Sequence, residues 1–281
     1  MDILAFLLAP FVAGLILTGI HAYLGLHVVE RGVIFVDLSL AQIAALGTTV
    51  GFLAGYGLHS NTSYYWSLGF TVLGAAIFAF TRVHETKTRI PQEAIIGIVY
   101  AVSAAAAILA MSKAPEGTEH IKDMLVGNIL TVSWSQVIKT AVLYALVGLF
   151  HWLCRRQFLL ISTQPDQAFA QGLNVKLWDF LFYASFGFVV TSSVAIAGVL
   201  LVFSYLVVPS VAAMMFARRV GTRLAFGWTM GAVVSGLGVY LSFVLDLPTG
   251  AAIVCSFGGV LAILALVKLV MHKRTPVAVA L

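Results

Sequence analysis

Charge is what this chain has least of. Charged residues fill 10% of its 281 positions, against about a quarter in a water-soluble domain. Hydrophobic residues fill 61%, and the mean hydropathy is +1.02. Too little polar surface remains to cover a soluble globule. That excludes an ordinary cytosolic enzyme, a disordered regulator and a secreted disulfide scaffold. Cysteine is also scarce: Cys154 and Cys255 stand in separate apolar runs without metal-ligand spacing and read as buried structural thiols. Phosphate-binding loops and dinucleotide fingerprints are missing. No serine sits in a nucleophile turn. None of the histidines pairs in a zinc-protease pattern. No repeat or low-complexity stretch is visible.

What the chain does have is apolar length. Apolar runs fall at roughly 3–26, 32–57, 64–81, 93–111, 136–154, 177–196, 199–217, 224–245 and 249–270. They are continuous and do not alternate, so they predict helices and not the strands of a membrane barrel. Only Ala197-Gly198 separates the sixth and seventh runs. That pair reads either as two spans with a tight turn or as one span followed by a broken one. The expected fold is therefore all-α, a polytopic membrane protein of eight to nine transmembrane helices. The first run has no basic leader and no clear cleavage site, and reads as a retained span.

Lys and Arg set the orientation. With nine spans and the N-terminus outside, thirteen of the sixteen basic residues fall on the inner side. This bias predicts an outer N-terminus and a cytoplasmic C-terminus. It also accounts for the basic isoelectric point near 9.3 without nucleic acid as a partner. Residues 1–275 read as one transmembrane domain, with 276–281 as a tail. Two connections exceed a turn. The outer segment 112–135 has an apolar patch at 124–130, which predicts a short re-entrant or interfacial helix. In the inner segment 155–176, Ser162 and Thr163 precede Pro165 and Gly172 follows. This pattern starts and stops a helix of about seven residues.

Ionisable groups within spans carry the most information, because hydrocarbon tolerates them only where they are paired or line a cavity. Asp37 stands out as the one acid well inside a run. Ser39 and Gln42 lie on the same helix and share a face. Ala41, Ala44, Ala45 and Gly47 keep that helix slim. Two readings stay open: an interhelical hydrogen-bond cluster, or the lining of a substrate path. Asp246, before Leu247-Pro248-Thr249-Gly250, reads as a cap for the next helix or an outer gate residue. Glu93 suits the positive end of its own helix. His21 and His151 read as hydrogen-bonded packing residues. His59, His84, His120 and His272 read as solvated.

Six blocks, in order, resemble one family. They are 28–47 (VVERGVIFVDLSLAQIAALG), 93–101 (EAIIGIVYA), 123–134 (DMLVGNILTVSW), 165–172 (PDQAFAQG), 198–213 (GVLLVFSYLVVPSVAA) and 242–254 (SFVLDLPTGAAIV). The chain is similar to the permease subunit of ABC importers of the zinc, manganese and iron class. The resemblance implies a homodimer in the bacterial inner or plasma membrane. It implies two ATPase subunits that use ATP and Mg on the cytoplasmic side, and an extracytoplasmic metal-binding protein. It implies no cofactor on this chain and a divalent metal as substrate. It makes 165–172 the ATPase-coupling helix, through Pro165, Asp166, Ala168 and Gly172. The family pattern there begins with an acid, where this chain has Gln164. The family's second span often reads G-D-A-L-S-H, with Asp and His proposed to meet the metal. Leu38 and Gln42 occupy those positions here, and Asp37 is displaced by about 100° around the helix. Either a helix irregularity turns Asp37 into the path as a transient metal contact, or the ion passes without a histidine there. A non-metal cargo and a gradient-driven transporter are the alternative readings.

Overall fold

The computed structural model describes residues 3–57, 60–82, 90–112, 127 and 129–273. Helices account for nearly all of them, and among the described residues there is no strand. The chain runs through α1 (Ile3–Glu30), α2 (Val36–Leu53), α3 (Asn61–Thr81) and α4 (Gln92–Met111). After a 3-10 turn at Ile129–Thr131 come α5 (Trp134–Leu153), two short helices α6 (Arg155–Thr163) and α7 (Pro165–Ala170), and α8 (Val175–Phe216). The last two helices are α9 (Val220–Leu245) and α10 (Thr249–Lys273). Eight of these are long and apolar enough to cross a membrane.

The starts and stops follow local chemistry. Ser60 accepts a hydrogen bond from the Ser63 amide at the head of α3. Ser133 and Gln136 form a reciprocal capping box at the head of α5. Asn174 accepts from Leu177 N at the head of α8. Glycine with positive φ closes the turn after α7, at Gly172. Asp246 also ends a helix, but not as the sequence predicts. It takes the left-handed conformation at the end of α9, and its backbone N–H closes on Ser242 O. The following turn is held instead by Ser242, whose hydroxyl meets Leu247 O at 2.7 Å and Thr249 Oγ1 at 2.7 Å.

Helix α8 holds 42 residues, which at 1.5 Å per residue would reach about twice the thickness of a bilayer core. It is not one rod. Gly198 has φ 75° and ψ 161°, a conformation essentially reserved for glycine. The chain reverses there, as the partners of α1 show. Asp179 meets Arg31, Ser193 meets His21, and Ile196 lies with Leu17. Beyond Gly198, Ser210 meets Ala22 O, and Arg223 joins Glu30 to Ala217 O. The segment 175–197 (α8a) thus climbs α1, and 199–216 (α8b) descends it. Of the two readings of Ala197-Gly198, the tight turn is the one formed, so this 42-residue helix consists of two helical segments, 175–197 and 199–216.

Lipid supplies no hydrophobic drive between helices, so close backbone approach must hold them together. At Gly25 a Cβ would lie 2.0 Å from Leu206 O, so α1 and α8b touch backbone to backbone. At Gly127 a Cβ would lie 2.2 Å from Gly198 N, which seats that residue on the reversal itself. The core runs through α1, α2, α3 and both halves of α8, with Leu24, Leu40, Phe78, Phe186 and Leu206 fully buried. Cys154 is half-buried and Cys255 is exposed, so the expectation of two buried thiols fails. An apolar run facing lipid buries its residues in the bilayer, not in protein. The helix expected at 124–130 falls mostly outside the described residues, as do His59, His84, His120, the side chain of His272 and the tail 276–281.

Gly198→Ala is expected to destabilise the detergent-purified protein by roughly 1–3 kcal/mol through backbone strain. Gly97 has open space around its Cα, so Gly97→Ala serves as the control and keeps or raises the melting temperature. Equal melting of both variants would contradict the hairpin.

Candidate functional site

Two polar regions lie within the apolar fold. The first is on α2. Asp37 sits in the first turn of that helix, not deep within a span as the sequence reading has it, because the helix begins only at Val36. It is 2% exposed, and its Oδ1 has no hydrogen-bond partner. Ser39 is fully buried with its hydroxyl oxygen unpartnered. Gln42 is half-buried, as is Leu38 one turn before it. The expected grouping of Asp37, Ser39 and Gln42 therefore divides. Asp37 and Ser39 are packed into the protein, and Leu38 and Gln42 lie on the more open face. No break in α2 turns Asp37 toward that face. Glu93 does more than suit its own helix. Its Oε1 accepts from the Phe35 amide at 2.9 Å, which ties α4 to the start of α2. Phe35 is the N-cap of α2 and offers no capping side chain, so a carboxylate from another helix meets that positive end.

The second region is larger and lies where α1, α3, α6 and α8a meet. Asp179 is fully buried at the foot of α8a. Arg31 Nη1 donates to its Oδ1 at 2.6 Å. Arg82 Nη1 donates to Oδ1 at 2.9 Å and Oδ2 at 2.8 Å. The Arg31 side chain is 1% exposed and that of Arg82 13%. The Arg31 guanidinium also stacks 4.0 Å above the Phe182 ring. Its Nε donates to Ser162 Oγ at 2.8 Å. Ser162 gives its own proton to Phe158 O, 2.8 Å away. The same oxygen meets His27 Nδ1 at 2.8 Å; with the hydroxyl proton on Phe158 O, the tautomer that completes the set is the one with hydrogen on Nδ1, and it saturates the hydroxyl. Ser162 and Thr163 therefore bond back into α6 and do not cap α7, as Pro165 had led the sequence reading to expect.

A histidine series continues away from this junction along α1. Tyr23 packs edge-on to His27 at 4.8 Å, and its hydroxyl lies 3.3 Å from His151 Nδ1. His151 Nε2 meets Ser185 Oγ at 2.8 Å. Farther along, His21 joins Leu17 O at 2.8 Å and Ser193 Oγ at 3.1 Å. Every ring nitrogen here has a protein partner except His27 Nε2, for which no bond is described. Among the described residues, no group of three His, Cys, Asp or Glu could hold a metal ion.

The expected coupling segment forms as α7, Pro165–Ala170, six residues long with Pro165 at its head. Gly172 ends it with φ +71°. Asp166 and Phe169 are exposed, and Phe169 presents 37% of its surface. Ala168 is not on that outer face. It is fully buried and packs with Ile161 and Val175 inside the loop. Its small size serves the fold of the loop, not the approach of a partner. Sequence reading missed Arg31, Arg82, Asp179 and His27, and gave Ser162 only a helix-start role. One signal was present: Asp179 lies inside the run 177–196 yet was passed over in favour of Asp37.

These features define a class: a polytopic α-helical membrane protein with one compact helical loop at the end where its buried charges converge. The profile of the ABC 3 transport family matches residues 4–271, and the chain belongs to that family. It is a multi-pass membrane permease, a transport component. It is 26% identical to the manganese transport system membrane protein MntC of Listeria monocytogenes over 84% of this chain and 81% of that protein. It is 26% identical to a probable iron transport system membrane protein of Haemophilus influenzae over 89% of each. Its fold matches PsaBC from Streptococcus pneumoniae, with a TM-score of 0.75 at 22% identity, over 92% of this chain and 90% of that one.

Removing one partner of a buried ion pair costs about 3–5 kcal/mol. Asp179→Asn should therefore lower the melting temperature in detergent sharply. Arg82→Gln should lower it less, because Arg82 is the more accessible partner. The reverse order, or no change in either, would contradict the charge assignment.

Proposed function

We propose that this chain is the membrane-spanning subunit of an ATP-driven importer for a divalent metal ion, with manganese or iron as cargo. The observation that carries the reading is the match of residues 4–271 to a transport family, joined to relatives named for manganese and iron transport. The end holding Arg31, Arg82 and α7 is the cytoplasmic one, in keeping with the basic bias of the loops there. A second copy completes the pathway. Two ATPase subunits supply the energy, and an extracytoplasmic binding protein delivers the ion.

The loop geometry supports a docking role. The α6–α7 pair has an apolar heart of Ile161, Ala168 and Val175, and offers Asp166, Gln167 and Phe169 outward. An exposed aromatic on a compact cytoplasmic loop is the kind of anchor a partner cleft takes. Along the path, α2 contributes Leu38 and Gln42 on its open face, and Asp37 and Ser39 act from behind as packing and support. The Gln42 amide oxygen suits a hard ion such as manganese, but as a single neutral donor it holds the ion weakly, which favours release over retention. Alternating access follows when ATP-driven movement of the loop opens the path to one side at a time.

Reconstituted with its ATPase and binding protein in vesicles, the permease should take up manganese or iron isotope only with ATP. ATP hydrolysis without uptake of either metal would overturn the cargo. Gln167→Arg, at an exposed position of α7, should remove the ATPase from the purified complex and leave the melting temperature within a degree or two. Retention of the ATPase would overturn the docking face.

A further inference from the structure

We infer that Ser162 and Arg31 are positioning residues that convey movement of the cytoplasmic loop to three membrane helices through one hydroxyl and one carboxylate. This rests on the transport reading above and goes beyond it, because it assigns the route by which ATPase motion reaches the spans.

Helix α7 is only six residues long and follows α6 across the single residue Gln164. Ile161 of α6, Ala168 of α7 and Val175 at the start of α8 bury one another. A push on α7 therefore moves α6 with it. Helix α6 in turn inserts two residues among the spans. Phe158, fully buried, stacks on His151 at 4.4 Å and packs edge-on against Trp178 and Phe182. Ser162, 4% exposed, is the polar insertion. Its contacts differ in kind from those of Phe158. A ring slides against its neighbours at little cost, whereas a saturated hydroxyl fixes a direction.

Arg31 makes that direction count. One edge of its guanidinium, Nε, holds Ser162, and Nη1 holds Asp179. The group is planar and rigid, so its two partners keep a fixed relation. Asp179 is shared with Arg82, which follows the last residue of α3. Displacing Ser162 thus turns Arg31 at the end of α1, and Asp179 passes the turn to α8a and α3. The neighbouring Glu30 binds Arg223 at the head of α9, and Arg223 also holds Ala217 O at the end of α8b. Five long helices and the short α6 therefore bring their ends together around residues 30 and 31. In a low-dielectric setting these charges cannot part without a replacement, so they move together or exchange partners together.

The test is the ratio of metal moved to ATP hydrolysed by the reconstituted complex of permease, ATPase and binding protein, with manganese as the probe. Ser162→Ala removes the directional link and leaves the Arg31–Asp179–Arg82 charges intact. It should hydrolyse ATP at a rate close to wild type and move about fivefold less manganese per ATP, as expected for the loss of one charge-assisted hydrogen bond. Ser162→Thr keeps the hydroxyl and should restore the ratio. Arg31→Lys keeps a cation against Asp179 without the second edge, and should behave like Ser162→Ala. An unchanged ratio in Ser162→Ala and Arg31→Lys would overturn the inference. So would a parallel loss of hydrolysis and uptake with a lowered melting temperature, because Ser162 would then be structural only. A wild-type complex that hydrolyses ATP but moves no manganese or iron would overturn the transport reading, and the inference with it.

Discussion

A buried carboxylate must be neutralised where no water can do it, and in this molecule Asp179 imposes that requirement. Two arginines from distant parts of the chain answer it. Their convergence fixes where α1 ends, where α3 ends and where α8a begins. Once those ends are set, the apolar lengths of the helices decide the rest. Helices α1, α3 and α8a each run from the junction through an apolar length long enough to cross a bilayer core. The arrangement is costly to break from either side, because losing Asp179 strands two cations and losing one arginine weakens the hold on the other helix.

The second constraint is the reversal at Gly198. A continuous α8 would project far beyond the bilayer. The hairpin instead lays two helical halves along α1, the first fastened by side-chain hydrogen bonds and the second by backbone contact at Gly25. This double use of α1 places it at the centre of the fold. It also explains why the polar series His21, Tyr23 and His27 lies on α1, with Arg31 directly after its last residue, each residue meeting a partner from another helix, from its own preceding turn, or both. A helix central to the bundle is the one on which polar side chains can be satisfied without water.

Much of this was legible in the residues. The apolar runs are as long as the bilayer demands, so the spans could be read directly, and Ala197-Gly198 marked the place of reversal. Pro165 and Gly172 marked α7 because both residues act locally. The charge junction was not legible in the same way. Asp179 lies 148 positions from Arg31 and 97 from Arg82 in sequence, and no local pattern announces such a pairing. Basic residues at span ends look alike whether they face water or a buried acid, so Arg31 and Arg82 passed as topology signals. Asp37 drew notice instead because it interrupts an apolar run. Yet it stands in the first turn of a helix that begins four residues later than the apolar run. Ala168 misled for a related reason: a small residue suits close packing, and sequence does not tell packing within a loop from packing against a partner. The expectations that needed correcting, on both the α2 face and the loop, depend on which way a side chain turns from its helix, and that is settled by tertiary packing.

The proposed seat of the ATPase is the loop at α6 and α7, on the cytoplasmic side. The most direct measurement places a single cysteine at Gln167, with Cys154 and Cys255 replaced by serine, and labels it with a membrane-impermeant maleimide. Labelling in inside-out vesicles but not in intact spheroplasts, and loss of labelling when the ATPase is bound, is the predicted result. Labelling from the outer face of spheroplasts, or full labelling in the assembled complex, would contradict it.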